Sequence, residues 1–195
     1  MGKKNANEIT VKVKCELDEL YKTLKETGFE IVDRFNLDDT FFIQNDLELE
    51  SMTTREILSK AVLVRQVTAD NRLVKLITFK KKEFDEKGNI LNQQNIECNI
   101  LDTEEAKRLL IAMGYKEIMR IVENDLVFKK DDAQFAVKDV VGGDNLIEME
   151  LGFNESFDTL TQIEEKLKEL DLPVYTDNFF VKKAEIELNK MLNRN

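Results

Sequence analysis

Histidine and tryptophan are both absent from this 195-residue chain. Without histidine, the chain can use neither Ser-His-Asp nor Cys-His catalysis, and it has no imidazole to bind zinc or iron. Acid–base chemistry or metal binding would therefore depend mainly on carboxylates, lysines and tyrosines. Carboxylate oxygens favour hard cations such as Mg²⁺ and Mn²⁺, so these are the metals that the composition admits.

Cysteine, proline and long apolar runs are scarce as well. The two cysteines, Cys15 and Cys98, form neither a disulfide framework nor a metal-binding spacing. No apolar run approaches the ~18 residues of a membrane span, and the first ten residues lack the apolar stretch of a signal peptide. We therefore expect a cytoplasmic protein without a membrane partner. One proline and seven scattered glycines leave no linker, which predicts a single domain over residues 1–195.

Positive charge is in deficit, because 29 lysines and arginines face 39 aspartates and glutamates, for a formal net charge of −10. Such a chain has no basic surplus to displace the counterions of a nucleic-acid backbone, so no nucleic-acid partner is expected. An anionic ligand is compatible with this charge only where basic residues gather locally in an enclosed site.

A strand with alternating polar and apolar residues, followed by an amphipathic helix, occurs three times. The strands are predicted over residues 8–14, 95–100 and 146–151. The first helix is expected to end at Gly28 and the second at Gly114, since glycine commonly terminates a helix. Asp102 and Glu105 are predicted to cap the start of the second helix.

Short polar stretches between apolar runs predict three strand-to-strand turns. They are Ala69-Asp70-Asn71, Glu123-Asn124-Asp125 and Gly142-Gly143-Asp144-Asn145. Gly142 and Gly143 are interpreted as a turn and not as a phosphate loop, because no helix follows them. Many antiparallel strands with a few helices predict an α+β fold, built on a large sheet or a closed barrel.

Charged residues of both signs recur on one face of strand after strand. The residues of this predicted polar face are Glu8, Thr10, Lys12, Lys14, Arg65, Thr78, Lys80, Asn95, Glu97, Asn99, Lys116, Arg120, Lys138, Glu148 and Glu150. Two interpretations are open. On an open sheet these charges would be solvated. If instead the helices cover the apolar faces of a closed barrel, the polar face lines a tunnel, and clustered bases and carboxylates there suit a polyanion that carries a divalent metal.

The ordered motifs of the chain resemble those of the CYTH-domain superfamily, also called triphosphate tunnel metalloenzymes. That superfamily includes class IV adenylate cyclases, thiamine triphosphatases and inorganic tripolyphosphatases. Its N-terminal Glu-x-Glu-x-Lys strand is matched by residues 8–12, and its late Glu-x-Glu strand by residues 148–150. The motifs between them are matched by Asp39 with Phe41 and Phe42, and by the stretches 62–65, 78–80, 95–97 and 118–120.

The resemblance implies an eight-stranded antiparallel β-barrel tunnel with helices packed outside, and metal-dependent attack on a triphosphate. Carried over by position, Glu8, Glu148 and Glu150 would bind Mg²⁺ or Mn²⁺. Lys12, Arg65, Lys80 and Arg120 would bind phosphate, with Lys80 also contacting the reacting group. Glu97 would orient the base or a water molecule. Lys182 and Lys183 lie near a late basic contact of the family, and the sequence does not choose between them. A homodimer is left open.

Several motif positions depart from the family pattern. Thr10 stands in place of the second glutamate, and Lys138 stands where an aspartate is expected. Leu63 and Asn95 replace arginines, and Ile118 replaces a lysine. Each lost charge-assisted contact is worth roughly 1.5–3 kcal/mol, although Lys14 or Lys138 would restore positive charge as additional phosphate ligands.

Two functions from different classes follow. The first is a metal-dependent phosphohydrolase or phosphotransferase that acts on inorganic triphosphate or on a nucleoside or thiamine triphosphate, with hydrolysis favoured over cyclisation because nothing selects adenine. The second is a catalytically degenerate module that binds polyphosphate or nucleotide without turnover.

Overall fold

The computed structural model describes residues 8–84, 90–154 and 156–193. The eight strands are β1 (Glu8–Lys12), β2 (Glu30–Gln44), β3 (Val62–Ala69), β4 (Arg72–Phe84), β5 (Ile90–Asn99), β6 (Tyr115–Lys130), β7 (Ala133–Val140) and β8 (Asn145–Glu150). The five helices are α1 (Leu17–Glu26), α2 (Thr54–Lys60), α3 (Thr103–Ala112), α4 (Leu160–Glu169) and α5 (Lys183–Met191). Short 3-10 turns lie at Leu49–Ser51 and Leu151–Phe153.

The eight strands form a sheet in the order β1-β8-β7-β6-β2-β3-β4-β5. Its described strand pairs are antiparallel, so the predicted α+β class with a large antiparallel sheet is confirmed. The chain divides into two compact units. The first contains residues 1–35 and 123–182, and the second contains residues 36–122 and 183–195.

In the first unit, helices pack on the apolar faces of the strands. Ile9 and Val11 of β1 and Ile147 of β8 are fully buried, and they belong to the same core as Leu20 of α1 and Ile163 of α4. Because side chains alternate along a strand, the polar residues of β1 and β8 point to the opposite face.

The second unit follows the same rule. Val64 of β3 is buried with Ala106 and Leu110 of α3, and Ile77 of β4 packs against them. The polar residues of β3 and β4 therefore lie on the face that α3 does not cover.

The C-terminal segment of the first unit runs along the free edge of β1. The backbone N–H of Thr10 donates to the carbonyl of Phe179 at 3.0 Å, and the N–H of Val181 donates to the carbonyl of Thr10 at 3.0 Å. Farther along, the N–H of Tyr175 donates to the carbonyl of Lys12 at 2.9 Å. These bonds satisfy backbone groups that an edge strand would otherwise expose.

The predicted turn at Glu123-Asn124-Asp125 is wrong. These residues lie inside β6, which continues to Lys130, and the hairpin to β7 turns after it, where Asp131 has a φ of 50°. The three polar residues resemble a turn in the sequence. Glu123 and Asp125 are buried, however, and both contact Lys138 of the neighbouring strand, so β6 does not need to break there.

The other predicted turns and helix ends are confirmed. β3 and β4 are joined through residues 70 and 71, and β7 and β8 through a turn in which Gly142 has a φ of 74°. Gly28 and Gly114 both have a φ of 88°, the left-handed conformation that ends a helix. Of the predicted capping pair, Asp102 is confirmed: it caps α3 by accepting bonds from the backbone N–H groups of Glu104 and Glu105, whereas the Glu105 side chain pairs with Arg108. Among the described residues, no helix is long and apolar enough to cross a membrane.

Candidate functional site

The polar face of the first unit joins acidic residues from three strands to one lysine. Strand register places Glu8 opposite Glu150 and Thr10 opposite Glu148 on β1 and β8. On the other side of β8, Glu148 lies opposite Ala136, two residues before Lys138 on the same face of β7. Regular strand pairing, and not loop conformation, therefore positions these side chains.

Lys138 is the centre of this polar face. Its Nζ lies 3.2 Å from Asp125 Oδ2, 3.3 Å from Glu148 Oε1 and 3.4 Å from Glu123 Oε2. The exposed fractions of Glu123, Asp125 and Lys138 are 0%, 2% and 6%. The interpretation of these charges as a solvated sheet surface therefore does not describe this cluster. We call Glu123, Asp125, Lys138 and Glu148 the Lys138 cluster.

The Lys138 cluster keeps its lysine charged. Burial alone would lower the pKa of the Lys138 ammonium, but the carboxylates of Glu148, Glu123 and Asp125 outweigh burial and hold this pKa well above its usual value. A lysine whose folded-state pKa is raised stabilises the fold below its unfolded pKa. That contribution is lost only as the pH rises through the raised value, so it is present throughout the neutral range.

Sequence reasoning missed Glu123 and Asp125. It had interpreted them as a turn, and it had placed Lys116 and Arg120 of the same strand on the polar face. In the middle of β6, from Met119 to Asp125, the buried residues are odd-numbered. Lys116 and Arg120 are even-numbered, so the predicted polar face of β6 is wrong by one residue. A usable signal was Lys138 itself, since a lysine in an otherwise apolar strand requires acidic partners on the strands beside it.

The remaining predicted residues of the first unit are less enclosed. Lys12 forms an ion pair with Asp144 in the β7–β8 turn, with Nζ 3.0 Å from Oδ2. Lys14 lies beyond the end of β1 and is exposed, with its Nζ 5.4 Å from the centre of the Tyr175 ring. Glu8 is exposed at the start of β1. The roles assigned to these residues stay predictions.

A resident metal fits this face poorly. Within the described ranges, no group of three or more carboxylates or thiols is arranged to hold a metal ion. Mg²⁺ binds oxygen at about 2.0–2.1 Å, whereas the carboxylate oxygens of the Lys138 cluster surround an ammonium at 3.2–3.4 Å. A metal bound between these three carboxylates would have to displace the ammonium of Lys138. The assignment of Glu8, Glu148 and Glu150 as metal ligands stays a prediction that this geometry does not favour.

The second unit carries a basic group on its own polar face. Arg65 binds Asp39 through two hydrogen bonds, from Nε to Oδ1 at 2.7 Å and from Nη2 to Oδ2 at 2.6 Å. Asp39 is buried, so it holds the guanidinium in one orientation. Burial alone would raise the pKa of Asp39, but Arg65 outweighs it, with further help from the charges of Lys80 and Lys183, and the pKa lies below its usual value. Lys183, one of the two tail lysines, thus contributes to the charge around this group.

Strand register adds further polar residues to the face that carries Arg65. Thr78 of β4 lies opposite Glu97 of β5, and Lys80 lies opposite Asn95. Thr78 is fully buried, and its hydroxyl has no hydrogen-bond partner among the described residues. Glu97 is exposed. A guanidinium, an ammonium and a buried hydroxyl on one face form a suitable set of donors for phosphate oxygens.

Arg120 does not join this group. It forms two hydrogen bonds with Asp38, from Nε to Oδ1 at 2.8 Å and from Nη2 to Oδ2 at 2.7 Å. Asp38 and Asp39 are consecutive in β2, so their side chains point to opposite faces of the strand. Arg120 therefore lies on the α3 side, where the charge of Glu104 contributes to raising its pKa after the larger effect of Asp38.

The Asp39–Arg65 pair predicts a specific pH dependence of stability. A carboxylate whose folded-state pKa is lowered stabilises the fold above its unfolded pKa, and that contribution is lost as the pH falls through the folded value. In Asp39→Asn we expect a shallower loss of unfolding free energy on acidification below pH ~4 than in the wild type. Urea unfolding from pH 3 to 7 measures this slope. Asp70→Asn, in the exposed β3–β4 turn, is the control, and equal slopes in the Asp39→Asn variant and the wild type would contradict the prediction.

Comparisons with known proteins agree with this arrangement of strands. No protein-family model matches the chain. A protein from Methanocaldococcus jannaschii, provisionally named adenylate cyclase MJ0240, is 26% identical over 186 residues, which are 92% of this chain and 98% of that protein. The PH1819 protein from Pyrococcus horikoshii has a TM-score of 0.66 at 20% identity, over 94% of this chain and 99% of that one.

A second solved structure of similar fold is HpAC1 from Hippeastrum, provisionally an adenylyl cyclase, whose structure is described with a dominant triphosphatase activity. It has a TM-score of 0.56 at 12% identity and covers 97% of both chains. The resemblance to the CYTH superfamily is confirmed. At 12% and 20% identity the two solved structures show a shared fold alone, so the activity of this CYTH-like chain must be argued from its own residues.

Proposed function

We propose that this CYTH-like chain acts on a triphosphate-bearing small molecule, as a phosphohydrolase or phosphotransferase. The observation that carries the proposal is the burial of charged side chains on strand faces opposite to those on which α1, α3 and α4 pack. Asp39, which pairs with Arg65 in one unit, and Glu123, Asp125 and Lys138 in the other are buried charged residues on regular strands. Charges are rarely buried unless they are paired or functional. The proposal includes the closed eight-stranded tunnel that the resemblance implies.

Arg65 and Lys80 are the proposed phosphate ligands, with Thr78 as a hydroxyl donor. Asp39 is a positioning residue, because it orients the guanidinium before substrate arrives. On the polar face of the first unit, Lys12 is proposed as a separate phosphate ligand, whose ammonium would exchange Asp144 for a phosphate oxygen. Arg120 is left out of the set because of its position on the α3 side. Lys14 and Lys138 are left out as well, since Lys14 is exposed beyond β1 and the three N–H donors of Lys138 face three carboxylates.

Hydrolysis is the favoured reaction. Water attacks the terminal phosphorus, the bridging P–O bond breaks, and the diphosphate part leaves on the bridging oxygen while orthophosphate forms. Glu97 is the proposed residue that orients the water and accepts its proton. Phosphoryl transfer depends mostly on positioning and charge stabilisation, which fixed basic side chains supply. Mg²⁺ or Mn²⁺ is proposed to arrive with the triphosphate as part of the substrate. Nothing on the described strands selects adenine, so cyclisation ranks below hydrolysis.

Phosphate release tests this proposal. The wild type is expected to release phosphate from inorganic triphosphate or ATP in the presence of Mg²⁺ or Mn²⁺. Lys80→Ala should reduce kcat/KM roughly 10–100-fold, because a charge-assisted hydrogen bond is worth about 1.5–3 kcal/mol. Lys129→Ala, which removes an exposed lysine near the end of β6, is the control.

The alternative is a module that binds polyphosphate without turnover. It is favoured by one observation, the replacement of a motif glutamate by Thr10, which is buried opposite Glu148. If no phosphate is released, a thermal shift on adding triphosphate that is lost in Lys80→Ala would establish this alternative. The absence of both release and shift would overturn the triphosphate proposal.

A further inference from the structure

The side chains around the Lys138 ammonium are carboxylates, which favour a cation at this position. The carboxylates come from both flanking strands: Asp125 of β6 lies directly opposite Lys138, and Glu148 belongs to β8 on the other side. Glu123 lies two residues from Asp125 on the same face of β6. All of these positions are set by the ladder of the sheet, so the cluster is a rigid feature of the fold.

The ammonium suits this environment in the sign of its charge and in its number of N–H donors. A lysine has three N–H donors and no acceptor, and three carboxylates lie at 3.2–3.4 Å from its Nζ. Glu123 and Asp125 are buried, and burying a carboxylate is strongly unfavourable unless a positive charge lies beside it, which Lys138 supplies. The ammonium is attached to β7 and cannot dissociate as an ion can.

We propose that the Lys138 ammonium is a built-in cation that replaces a resident divalent metal in this CYTH-like chain. Glu148 is then an acceptor for Lys138 and not a metal ligand in the wild type. The proposal deepens the proposed function and rests on it for its relevance to triphosphate chemistry. Its consequence is that the only metal the reaction takes up is the metal that the triphosphate carries.

Titration with Mn²⁺ alone tests the proposal without any triphosphate. Binding is measured by electron paramagnetic resonance of free Mn²⁺ and by calorimetry, for the wild type, Lys138→Gln and Glu148→Gln. Lys166→Gln is the matched control, because Lys166 pairs with a single carboxylate, Asp132, at 2.9 Å on the surface. Circular dichroism establishes that each variant is folded.

Three results are expected. The wild type and Lys166→Gln bind Mn²⁺ weakly and equally. Lys138→Gln binds Mn²⁺ at least tenfold more tightly, because three carboxylates then surround a neutral side chain. Glu148→Gln in the otherwise wild-type chain changes Mn²⁺ affinity less than twofold, and this arm remains informative if Lys138→Gln does not fold.

Two results would overturn the proposal. One is tight Mn²⁺ binding by the wild type that Glu148→Gln weakens tenfold or more, which would make Glu148 a metal ligand. The other is equal Mn²⁺ affinity in a folded Lys138→Gln variant and the wild type. Either result leaves the phosphate-release test of the proposed function untouched, so the failure of one proposal is distinguishable from the failure of the other.

Discussion

Replacing Lys138 with methionine is expected to lower the free energy of unfolding by about 3–5 kcal/mol, the cost of removing one partner from a buried ionic group. Methionine fills a similar volume, so the loss is electrostatic and not a packing defect. It leaves Glu123, Asp125 and Glu148 close together without their cation. Urea unfolding at pH 7 measures the difference from the wild type.

Lys166→Met is the control for the Lys138 substitution. The Lys166–Asp132 pair is partly exposed to solvent, with side-chain exposures of 23% and 40%, and such pairs contribute about 0–1 kcal/mol. Adding Glu123→Gln and Asp125→Asn to Lys138→Met should recover part of the loss, because two of the three negative charges are then removed. A loss below about 1 kcal/mol in Lys138→Met would show that Lys138 does not balance the cluster.

The double variant Glu148→Ala, Glu150→Ala is expected to reduce triphosphate turnover at least ~100-fold, the scale on which a positioned charged group contributes to catalysis. Both carboxylates lie on the polar face of β8, with Glu150 opposite Glu8 and Glu148 in contact with Lys138. Removing them changes the charge of this face by two units and frees the lysine to move. Phosphate release at saturating triphosphate measures the loss.

A matched double variant, Glu26→Ala, Glu30→Ala, removes two exposed glutamates from the same unit and should retain turnover. If the Glu148, Glu150 variant keeps more than half of the wild-type rate while it remains folded, the polar face of β8 does not take part in the reaction. Retained binding of triphosphate without turnover would instead show that these two carboxylates act in the chemical step and not in substrate binding.

Local sequence patterns predicted much of the fold. Three kinds of feature depend only on neighbours in the chain, so they can be predicted from the sequence alone. They are the alternation in β1, β5 and β8, the glycines after α1 and α3, and the turns at residues 70–71 and 142–145. The same alternation correctly placed the helices on the apolar faces of the strands. The motif resemblance added the eight-strand count, which spacing alone had left open.

Long-range pairing explains what could not be predicted. Glu123 and Asp125 resemble a turn in the sequence because their partner Lys138 lies on another strand. The register that brings the two strands together cannot be derived from a single segment. Lys138 was assigned to phosphate for the same reason, since its acidic partners were not recognised. The predicted turn divides β6 into two strands, so the alternation of the two parts cannot be compared. The strand face predicted for Arg120 is wrong by one residue.

The covering of β1 by residues 173–181 has a consequence for protein synthesis. Of the eight described strands β1 is translated first and its sheet partner β8 last, and the edge cover follows β8. At ~5–20 residues per second, β1 waits on the order of ten seconds for its pairing partners. During that time Glu8, Lys12 and Lys14 keep the strand charged, which opposes pairing with the same strand of another nascent chain on the polysome.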